Sequence, residues 1–346
     1  MALYQRRTQL FLLGVAALFA LFAVGCSEDT ETASASATAG AATATSTPAS
    51  SPEPTPASEN IAIAHALGTL ELEAPAQRVV VLEWVYAEDL VALGLEPVGV
   101  SDTTGYAKWV AAAPLGASVA DVGTRQEPNL EAIAELKPDL IIGVQFRHEA
   151  IYEQLSAIAP TLLFNPYPAD FAGQHDEMLA TFEAIAAATG RAEQGVEVLA
   201  ELEAHYTEAA STLSGAGLDV ATFVLMQGYS AQEAPVMRLF TDNALAVQIL
   251  EAIGLDNAIE SDPQLYGFIE ADVEGLVPYG DAHLIYIVQD DDNIVDEFFQ
   301  TNPIWSELGF VQEDRTHALG GDAWTFGGPL SAKVIVDRVV ALLTGA

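Results

Sequence analysis

From residue 61 onward, short apolar runs alternate with segments of helical periodicity, and this alternation constrains the fold more than any other feature. The runs are almost continuously apolar, as in VVVL before Glu83 and DLIIGV before Gln145. Strands of this kind are buried on both faces, which is typical of a parallel sheet covered by helices. In the first half, the pattern predicts strands at 77–82, 97–100, 139–144 and 161–164, and helices at 87–93, 130–136 and 151–158.

A long helical stretch rich in Ala, Glu and Leu separates the two halves. It covers 176–189 and 191–213 and is interrupted only around Gly190. The alternation then resumes, with strands predicted at 220–226, 283–288 and 316–319, and helices at 244–253, 297–299 and 331–343. The predicted fold class is therefore α/β, with two lobes that contain parallel sheets, at 61–172 and 214–346, joined by a long helical connector at 173–213.

Cys26 ends a segment that is typical of an export signal. Arg6 and Arg7 precede an apolar run at 10–24, and a glycine stands directly before the cysteine. This order predicts a lipoprotein signal peptide at 1–25, followed by lipid attachment to the Cys26 thiol. A transmembrane helix is the alternative, although the run is shorter than the roughly 20 residues that span a bilayer. We expect the chain to be exported by either the general or the twin-arginine route. It is then expected to be anchored to the extracytoplasmic face of a cell membrane.

The segment after Cys26 is too simple in composition to form a core. Of the 34 residues at 27–60, 27 are Ala, Ser, Thr or Pro, so the lipid-anchored segment 26–60 is predicted to be a disordered linker. Cys26 is also the only cysteine in the chain. Disulfides and cysteine-based metal or redox sites are therefore excluded, and packed cores have to stabilise the folded part.

The chain is strongly acidic. Removal of residues 1–25 takes away two arginines and no acidic residue, which leaves 10 basic side chains against 49 acidic ones. Binding to a phosphate backbone needs a basic surface, so nucleic acid is excluded as a partner. Adaptation to salt or acid is one explanation of such a surface. Because basic residues are so few, each arginine near a predicted cleft is a candidate for a specific role.

Several short segments, in their order and spacing, resemble one protein family. They are HALGT at 65–69 with PAQRVV at 75–80, LGLEPVGV at 93–100, VG at 122–123, PNLE at 128–131, LKPDLII at 136–142, LEAIGL at 250–255, Trp305 with Leu308, and GGP at 327–329. The chain resembles the periplasmic or lipoprotein substrate-binding proteins of ABC importers for ferric siderophores, haem and cobalamin. The resemblance covers nearly all of 61–346.

The resemblance implies a rigid class of periplasmic binding protein, in which one long helix joins the lobes and the ligand lies in the cleft between them. Ligands of open α/β sheets do bind outside the carboxyl ends of the strands. The family also docks on its permease dimer through one acidic residue per lobe, and Glu131 and Glu274 fall at those positions. Their alternative role is that of carboxylates favoured at helix N-termini by the helix dipole.

Large polar-tipped side chains follow the predicted strands at the cleft. The candidate ligand-binding residues are Trp84, Tyr86, Arg125, Arg147, Tyr229, Arg238 and Trp324. A ferric catecholate or carboxylate complex is a bulky anion, and guanidinium groups match its oxygens with forked hydrogen bonds while aromatic rings cover its apolar faces. The predicted function is thus a monomeric, non-enzymatic receptor, without a cofactor of its own, that captures a ferric siderophore and delivers it to an ABC permease.

Other functions stay open as alternatives. Haem and cobalamin are ligands of the same family, and haem requires an axial ligand, for which Tyr229, Tyr266 and His148 are candidates. A divalent-metal receptor is disfavoured because the histidines, such as those at 65, 175 and 205, do not converge in the predicted fold, so no metal site is predicted. An envelope-anchored enzyme is disfavoured because no nucleophile, base and oxyanion set is recognisable.

Overall fold

The structure is a computed structural model that describes residues 60–168, 173–218 and 220–345. The predicted signal peptide, Cys26 and the predicted linker up to residue 59 lie outside the described residues. Within the described ranges, no helix combines the length and the apolar composition that are needed to cross a membrane.

The first lobe follows the predicted alternation after an initial hairpin. Its strands are β1 (Ile61–His65), β2 (Gly68–Leu72), β3 (Val79–Val81), β4 (Gly99–Val100), β5 (Ala120–Asp121), β6 (Leu140–Val144) and β7 (Thr161–Phe164). Its helices are α1 (Trp84–Ala92), α2 (Thr103–Trp109), α3 (Leu130–Glu135), α4 (Gln145–His148) and α5 (Tyr152–Ser156), with a 3₁₀ helix at Glu149–Ile151. Only the β1–β2 hairpin, α2, β5 and α4 were not predicted.

The sheet of the first lobe is parallel, as predicted. Its strand order is β5-β4-β3-β6-β7, and Val80 on the central strand pairs with Gly99 on one side and Ile141 on the other. The chain thus adds β4 and β5 on one side of β3, and later adds β6 and β7 on the other side. The carboxyl ends of β3 and β6 meet where the strand order reverses, and such a position favours ligand binding.

The connector consists of two helices, α6 (Gln174–Ala188) and α7 (Ala192–Gly215), rather than one. Gly190, between them, has a φ of +68°, a left-handed conformation that glycine adopts without steric cost. A side chain at this position would also meet the ring of Pro75. The predicted interruption around Gly190 is therefore a turn that separates the two helices.

The second lobe begins with a long strand. Its strands are β8 (Thr222–Ala231), β9 (Ala234–Phe240), β10 (Asp256–Asn257), β11 (Phe268–Ala271), β12 (His283–Ile287) and β13 (Thr316–Ala318). Its helices are α8 (Leu245–Ala252), α9 (Ile294–Glu297), α10 (Pro303–Glu307), α11 (Gly309–Gln312) and α12 (Pro329–Thr344), with 3₁₀ helices at Val273–Tyr279 and Phe299–Thr301.

The sheet of the second lobe differs from the prediction in being mixed. Strands β10, β8, β12 and β13 pair in parallel, but β9 pairs antiparallel with β8 and β11 pairs antiparallel with β9. The β8–β9 hairpin turns at Gln232 and Glu233, which both have positive φ values. Such turns usually contain Asn-Gly or Asp-Gly, so this sequence carries no recognisable hairpin signal. The α/β fold class of two lobes is confirmed.

Two helices connect the lobes across the cleft. Helix α6 packs against α1 of the first lobe and α8 of the second, and α12 packs against α1, α7 and α8. The buried carboxylate of Glu88 on α1 accepts hydrogen bonds from the backbone N–H groups of Gly328 and Ser331 and from the Ser331 hydroxyl. It therefore caps the N-terminus of α12, and this contact fixes the two lobes near the cleft.

Candidate ligand-binding site

A cavity of about 360 Å³ lies between the two lobes, at the carboxyl ends of β3 and β6. It is lined by Glu83, Val85, Tyr86, Asp89, Arg125, Val144, Phe146, Arg147, Pro166 and Tyr167 of the first lobe, by Gln174, Glu177, Met178 and Thr181 of α6, and by Arg238, Leu245, Tyr266, Phe268, Trp324, Phe326 and Gly327 of the second lobe. Helix α6 forms one wall along its whole first half, so both lobes and the connector contribute to the cavity.

Glu83 binds two of the three arginines in the cavity. It lies two residues after β3, is buried, and accepts a 2.6 Å hydrogen bond at Oε1 from Nη1 of Arg125. Its Oε2 atom accepts a hydrogen bond from Nη1 of Arg147, which lies on α4. One carboxylate thus holds two guanidinium groups from different loops, and this trio keeps a net positive charge.

Arg125 is also held in place by two aromatic rings and a histidine. Its guanidinium lies 3.7 Å from the centroid of the Trp84 ring and 5.8 Å from that of Trp324. Its backbone carbonyl accepts a 2.9 Å hydrogen bond from Nε2 of the buried His148, whose Nδ1 accepts from the Val144 N–H. Burial lowers the pKa of His148, so the ring stays neutral and fixes the loop that carries Arg125.

Arg238 has a different environment. It lies on β9, where Nη1 contacts Oε1 of Gln227 at 3.2 Å and Nη2 contacts the hydroxyl of Tyr229 at 3.1 Å. Its guanidinium also lies 4.5 Å from the centroid of the Phe268 ring. No described carboxylate forms an ion pair with Arg238, and its buried Nε has no hydrogen-bond partner there. Its charge is therefore available to a ligand.

Aromatic rings from both lobes meet at one side of the cavity. The rings of Tyr167 and Tyr266 lie 5.0 Å apart between centroids, and Phe146 lies 5.5 Å from Tyr167. Phe146 and Tyr266 are 46% and 42% exposed, although both are large and apolar. These rings provide apolar surface for a ligand beside the charged groups.

Two further acidic groups belong to the cavity lining. Asp89 on α1 and Glu177 on α6 both line it, together with Tyr86. Burial raises the pKa of Asp89 well above its usual value, with further contributions from the charges of Glu88 and Glu177. Burial also raises the pKa of Glu177 to about 7, against the opposing effect of a hydrogen bond donated by Thr181.

The structure brings five of the seven predicted ligand-binding residues to this cavity: Tyr86, Arg125, Arg147, Arg238 and Trp324. The other two lie behind them. Trp84 stacks under Arg125 and donates from Nε1 to the Ser101 carbonyl, and Tyr229 contacts Arg238 through its hydroxyl. Both support an arginine rather than line the cavity.

The sequence prediction missed Glu83, Phe146, Tyr167, Phe268 and the acidic pair Asp89 and Glu177. Glu83 and Phe146 lie two residues after the last residues of β3 and β6, so their position near strand ends was a usable signal. Asp89 and Glu177 lie on helices, where carboxylates are usually solvated, and nothing in their sequence context distinguishes them from other acidic residues.

The candidate haem ligands are only partly compatible with the structure. Both ring nitrogens of His148 form hydrogen bonds inside the protein, and the hydroxyl of Tyr229 contacts Arg238. Neither His148 nor Tyr229 lines the cavity, so the structure gives no support to axial roles for them. Tyr266 lines the cavity. In the described part of the chain, no group of three or more His, Cys, Asp or Glu side chains is arranged to hold a metal ion.

The two acidic residues expected at the permease lie away from the cavity. Glu131 is in the first turn of α3, where Asn129 caps the helix, and Glu274 is in the first turn of the 3₁₀ helix that follows β11. Both side chains are exposed, and neither lines the cavity. One such residue is presented by each lobe.

Comparison with known families agrees with this architecture. A family model described as periplasmic binding protein matches residues 79–323, which includes both lobes and the connector. The chain belongs to the periplasmic binding protein family. This family consists of binding proteins.

Relatives of this periplasmic binding protein have names that refer to iron chelates. The chain is 32% identical to the Fe(3+)-citrate-binding protein YfmC of Bacillus subtilis, over 79% of this chain and 84% of the relative. It is 30% identical to the iron(3+)-hydroxamate-binding protein FhuD of Escherichia coli, over 75% and 84%. It is 29% identical to the probable siderophore-binding lipoprotein YfiY of B. subtilis, over 82% and 87%.

The fold of this periplasmic binding protein is also found among solved structures. The crystal structure of the siderophore-binding protein FhuD from Vibrio cholerae, bound to Fe3+-Desferal, superposes with a TM-score of 0.70 at 26% identity. The match covers 78% of this chain and 98% of the V. cholerae chain. The two-lobed fold is thus shared with a siderophore-binding protein.

Proposed function

We propose that this protein is an extracytoplasmic receptor that binds an anionic ferric chelate between its lobes and delivers it to an ABC importer. The observation that carries the proposal is Arg238. In a chain with a large excess of acidic residues, this arginine lies at the cavity with no described carboxylate partner. Arg238 is half-buried, so its guanidinium is partly removed from water without a counter-ion, and an anionic ligand supplies that counter-ion.

The charges of the other arginines support the same ligand class. Arg125 and Arg147 share the single carboxylate of Glu83, so this group also keeps one positive charge. Two positive charges on facing walls suit a chelate whose outer oxygens are negatively charged. Names of relatives that refer to ferric citrate and to siderophores support a ferric chelate, with citrate-type carboxylates as the best-matched chemistry.

The aromatic rings complete the proposed recognition. Phe146, Tyr167 and Tyr266 present apolar faces beside the arginines, so they can cover the organic part of a chelate. Haem also fits an aromatic cleft, but of the three candidate axial ligands only Tyr266 lines the cavity. The scarcity of axial ligands at the cavity disfavours haem, and the arginines disfavour cobalamin, which has no net negative charge.

Anchoring and delivery complete the proposed function. Cys26 is proposed to carry the lipid that holds the protein at the extracytoplasmic face of the membrane, and relatives named as lipoproteins support this. Glu131 and Glu274 are proposed to contact the two subunits of a permease dimer, because they are exposed on different lobes and leave the cavity unobstructed.

A binding screen tests the proposal. The purified protein is titrated with ferric citrate, ferric tris-catecholate, ferric tris-hydroxamate, haem and cobalamin while tryptophan fluorescence is recorded, because Trp324 lines the cavity. We expect saturable one-to-one binding of at least one anionic ferric chelate, and no binding of metal-free citrate at the same concentration. Binding of haem or cobalamin alone, or of none of these compounds, would refute the proposed ligand class.

A further inference from the structure

Buried polar atoms without hydrogen-bond partners are concentrated at the cavity. Among the described residues, such atoms include the hydroxyl of Tyr86, Oδ1 of Asp89, Nε2 of Gln174, Nε of Arg238 and Nε1 of Trp324, and all five residues line the cavity. Tyr86 and Asp89 are each 1% exposed and Gln174 is 4% exposed. Buried polar groups are normally paired. These atoms are covered in the ligand-free structure, so their side chains have to rotate toward the cavity before a ligand can complete their hydrogen bonds.

Donors predominate in this set. The amide of Gln174, the guanidinium of Arg238 and the indole of Trp324 can only donate from the unpaired atoms, and the hydroxyl of Tyr86 can donate as well. A ligand that satisfies them has to present acceptors, which in an iron chelate are carboxylate, hydroxyl or carbonyl oxygens. The oxygen of Asp89 matches such a ligand only if this carboxyl group carries a proton.

The surroundings of Asp89 and Glu177 favour the protonated form. Neither carboxyl forms an ion pair with a described basic side chain. The neighbouring Glu88 takes the backbone N–H groups at the start of α12, so Asp89 receives none of them. A carboxyl group that is buried without a cation or several donors is neutral, because its charged form is poorly solvated.

We propose that Asp89 and Glu177 act as protonated carboxyl groups that, together with Tyr86 and Gln174, donate hydrogen bonds to oxygen atoms of the ligand. This inference rests on the proposed binding of an anionic chelate. The cavity then recognises the ligand by two kinds of groups, positively charged arginines and neutral acids. Loss of the proton from Glu177 places a negative charge beside an anionic ligand and weakens binding.

The charged groups around Glu177 determine this linkage. The titratable groups at the cavity are Tyr86 and Asp89 of α1, Glu83 before α1, Arg125, Arg147 and Tyr167 of the first lobe, and Arg238 and Tyr266 of the second. On other sides of α6, His175 contacts Tyr206 of α7, and His65 of β1 contacts the Leu163 amide. The pKa of Glu177, raised by burial to about 7, makes its titration measurable near neutral pH.

Ferric citrate binding by the full-length protein in detergent provides the main test. We expect the affinity of the wild type to fall at least tenfold more than that of Glu177→Gln between pH 6 and pH 8.5, since about 3% of a group with a pKa near 7 is protonated at pH 8.5. The sign follows from a pKa raised above that of a free carboxyl group: the favourable proton is present at low pH and lost as the pH rises through 7.

Glu251→Gln is the matched control. The pKa of Glu251 is also raised to about 7, by partial burial and by Asp242 and Asp256, but this residue does not line the cavity. Its variant is expected to keep the pH profile of the wild type. Equal pH profiles for wild type and Glu177→Gln would overturn the inference. Weaker binding by Glu177→Gln at every pH would also overturn it, since it would show that a charged carboxylate binds a cationic part of the ligand.

A measurement without ligand separates this inference from the proposed function. Infrared difference spectra of the ligand-free protein between pH 6 and pH 8.5 are expected to show carbonyl bands of the protonated Glu177 and Glu251, which are lost at high pH. One band component is expected to be missing in Glu177→Gln and kept in Glu251→Gln. If Glu177→Gln shows the same band as the wild type, the inference fails whether or not any chelate binds. If the Glu177 component is present and no ferric chelate binds, the proposed ligand class fails instead.

Discussion

Oε1 of Glu83 accepts a 2.6 Å hydrogen bond from Nη1 of Arg125, and this contact joins the end of the central strand to the loop after β5. The second carboxylate oxygen accepts from Arg147 on α4, the helix that follows β6. Three segments that are distant in sequence thus meet at one buried carboxylate. Glu83 holds both guanidinium groups in place before any ligand binds. The two arginine side chains therefore lose less conformational entropy when the ligand binds.

Glu83→Gln is expected to destabilise the protein. An amide offers one acceptor where the carboxylate offers two, so one arginine loses its partner, at a cost of about 1 to 3 kcal/mol in the free energy of unfolding. Urea unfolding followed by tryptophan fluorescence measures this difference. Glu127→Gln is the control, because this exposed glutamate lies in the same loop as Arg125 and its side chain has no hydrogen bond among the described contacts. Equal stability of both variants and the wild type would show that the Glu83 contacts contribute nothing.

Substitutions of Glu131 and Glu274, the proposed docking residues, are expected to reduce transport and to leave ligand binding intact. Glu131→Ala and Glu274→Ala should each reduce uptake of the iron chelate by cells at least tenfold, while the affinity of the purified protein stays within about threefold. Glu135→Ala, which removes an exposed carboxylate from the same helix as Glu131, should transport normally. A loss of affinity in either docking variant would place that residue in the binding site and contradict the docking role.

The proposed lipid attachment depends on a single group, the thiol of Cys26. Cys26→Ala is expected to abolish incorporation of labelled fatty acid and to shift the protein away from the detergent phase in a partition assay, or to leave an uncleaved precursor. Fatty-acid labelling of the variant at the level of the wild type would contradict the lipoprotein assignment.

Much of the fold was predictable because its strands are buried on both faces. Runs such as VVV in β3 and LIIGV in β6 have no polar alternation, and this pattern predicts a parallel sheet directly. The interruption at Gly190 was also predictable, since glycine is favoured where φ is positive. The β8–β9 hairpin was not, because Gln232 and Glu233 adopt positive φ values without the residues that usually signal such a turn.

The site was less predictable than the fold, because its charges interact over long sequence distances. The three arginines stood out by their scarcity in an acidic chain. Their partner Glu83 did not stand out among 49 acidic residues, since only the folded chain brings it between Arg125 and Arg147. Trp84 was recognised as part of this region, but its side chain points behind Arg125, and a sequence pattern does not distinguish the two sides of a loop.

Substitutions of Arg238 test directly whether the cavity binds an anionic ferric chelate. Charge-assisted hydrogen bonds contribute about 1.5 to 3 kcal/mol each, so Arg238→Ala is expected to weaken ferric citrate binding about ten- to a hundredfold, and Arg238→Lys to restore only part. Arg125→Ala and Arg147→Ala are expected to weaken binding in the same range. Lys333→Ala, which removes a cation from an ion pair with Glu201 outside the cavity, is the control.

The decisive measurement is the ratio of the affinities for ferric citrate and for an uncharged ferric tris-hydroxamate, determined by calorimetry for the wild type, Arg238→Ala and Lys333→Ala. We predict that this ratio falls at least tenfold in Arg238→Ala and stays unchanged in Lys333→Ala. If Arg238→Ala binds both chelates as the wild type does, the guanidinium of Arg238 does not bind an anion, and the cavity does not recognise its ligand by negative charge.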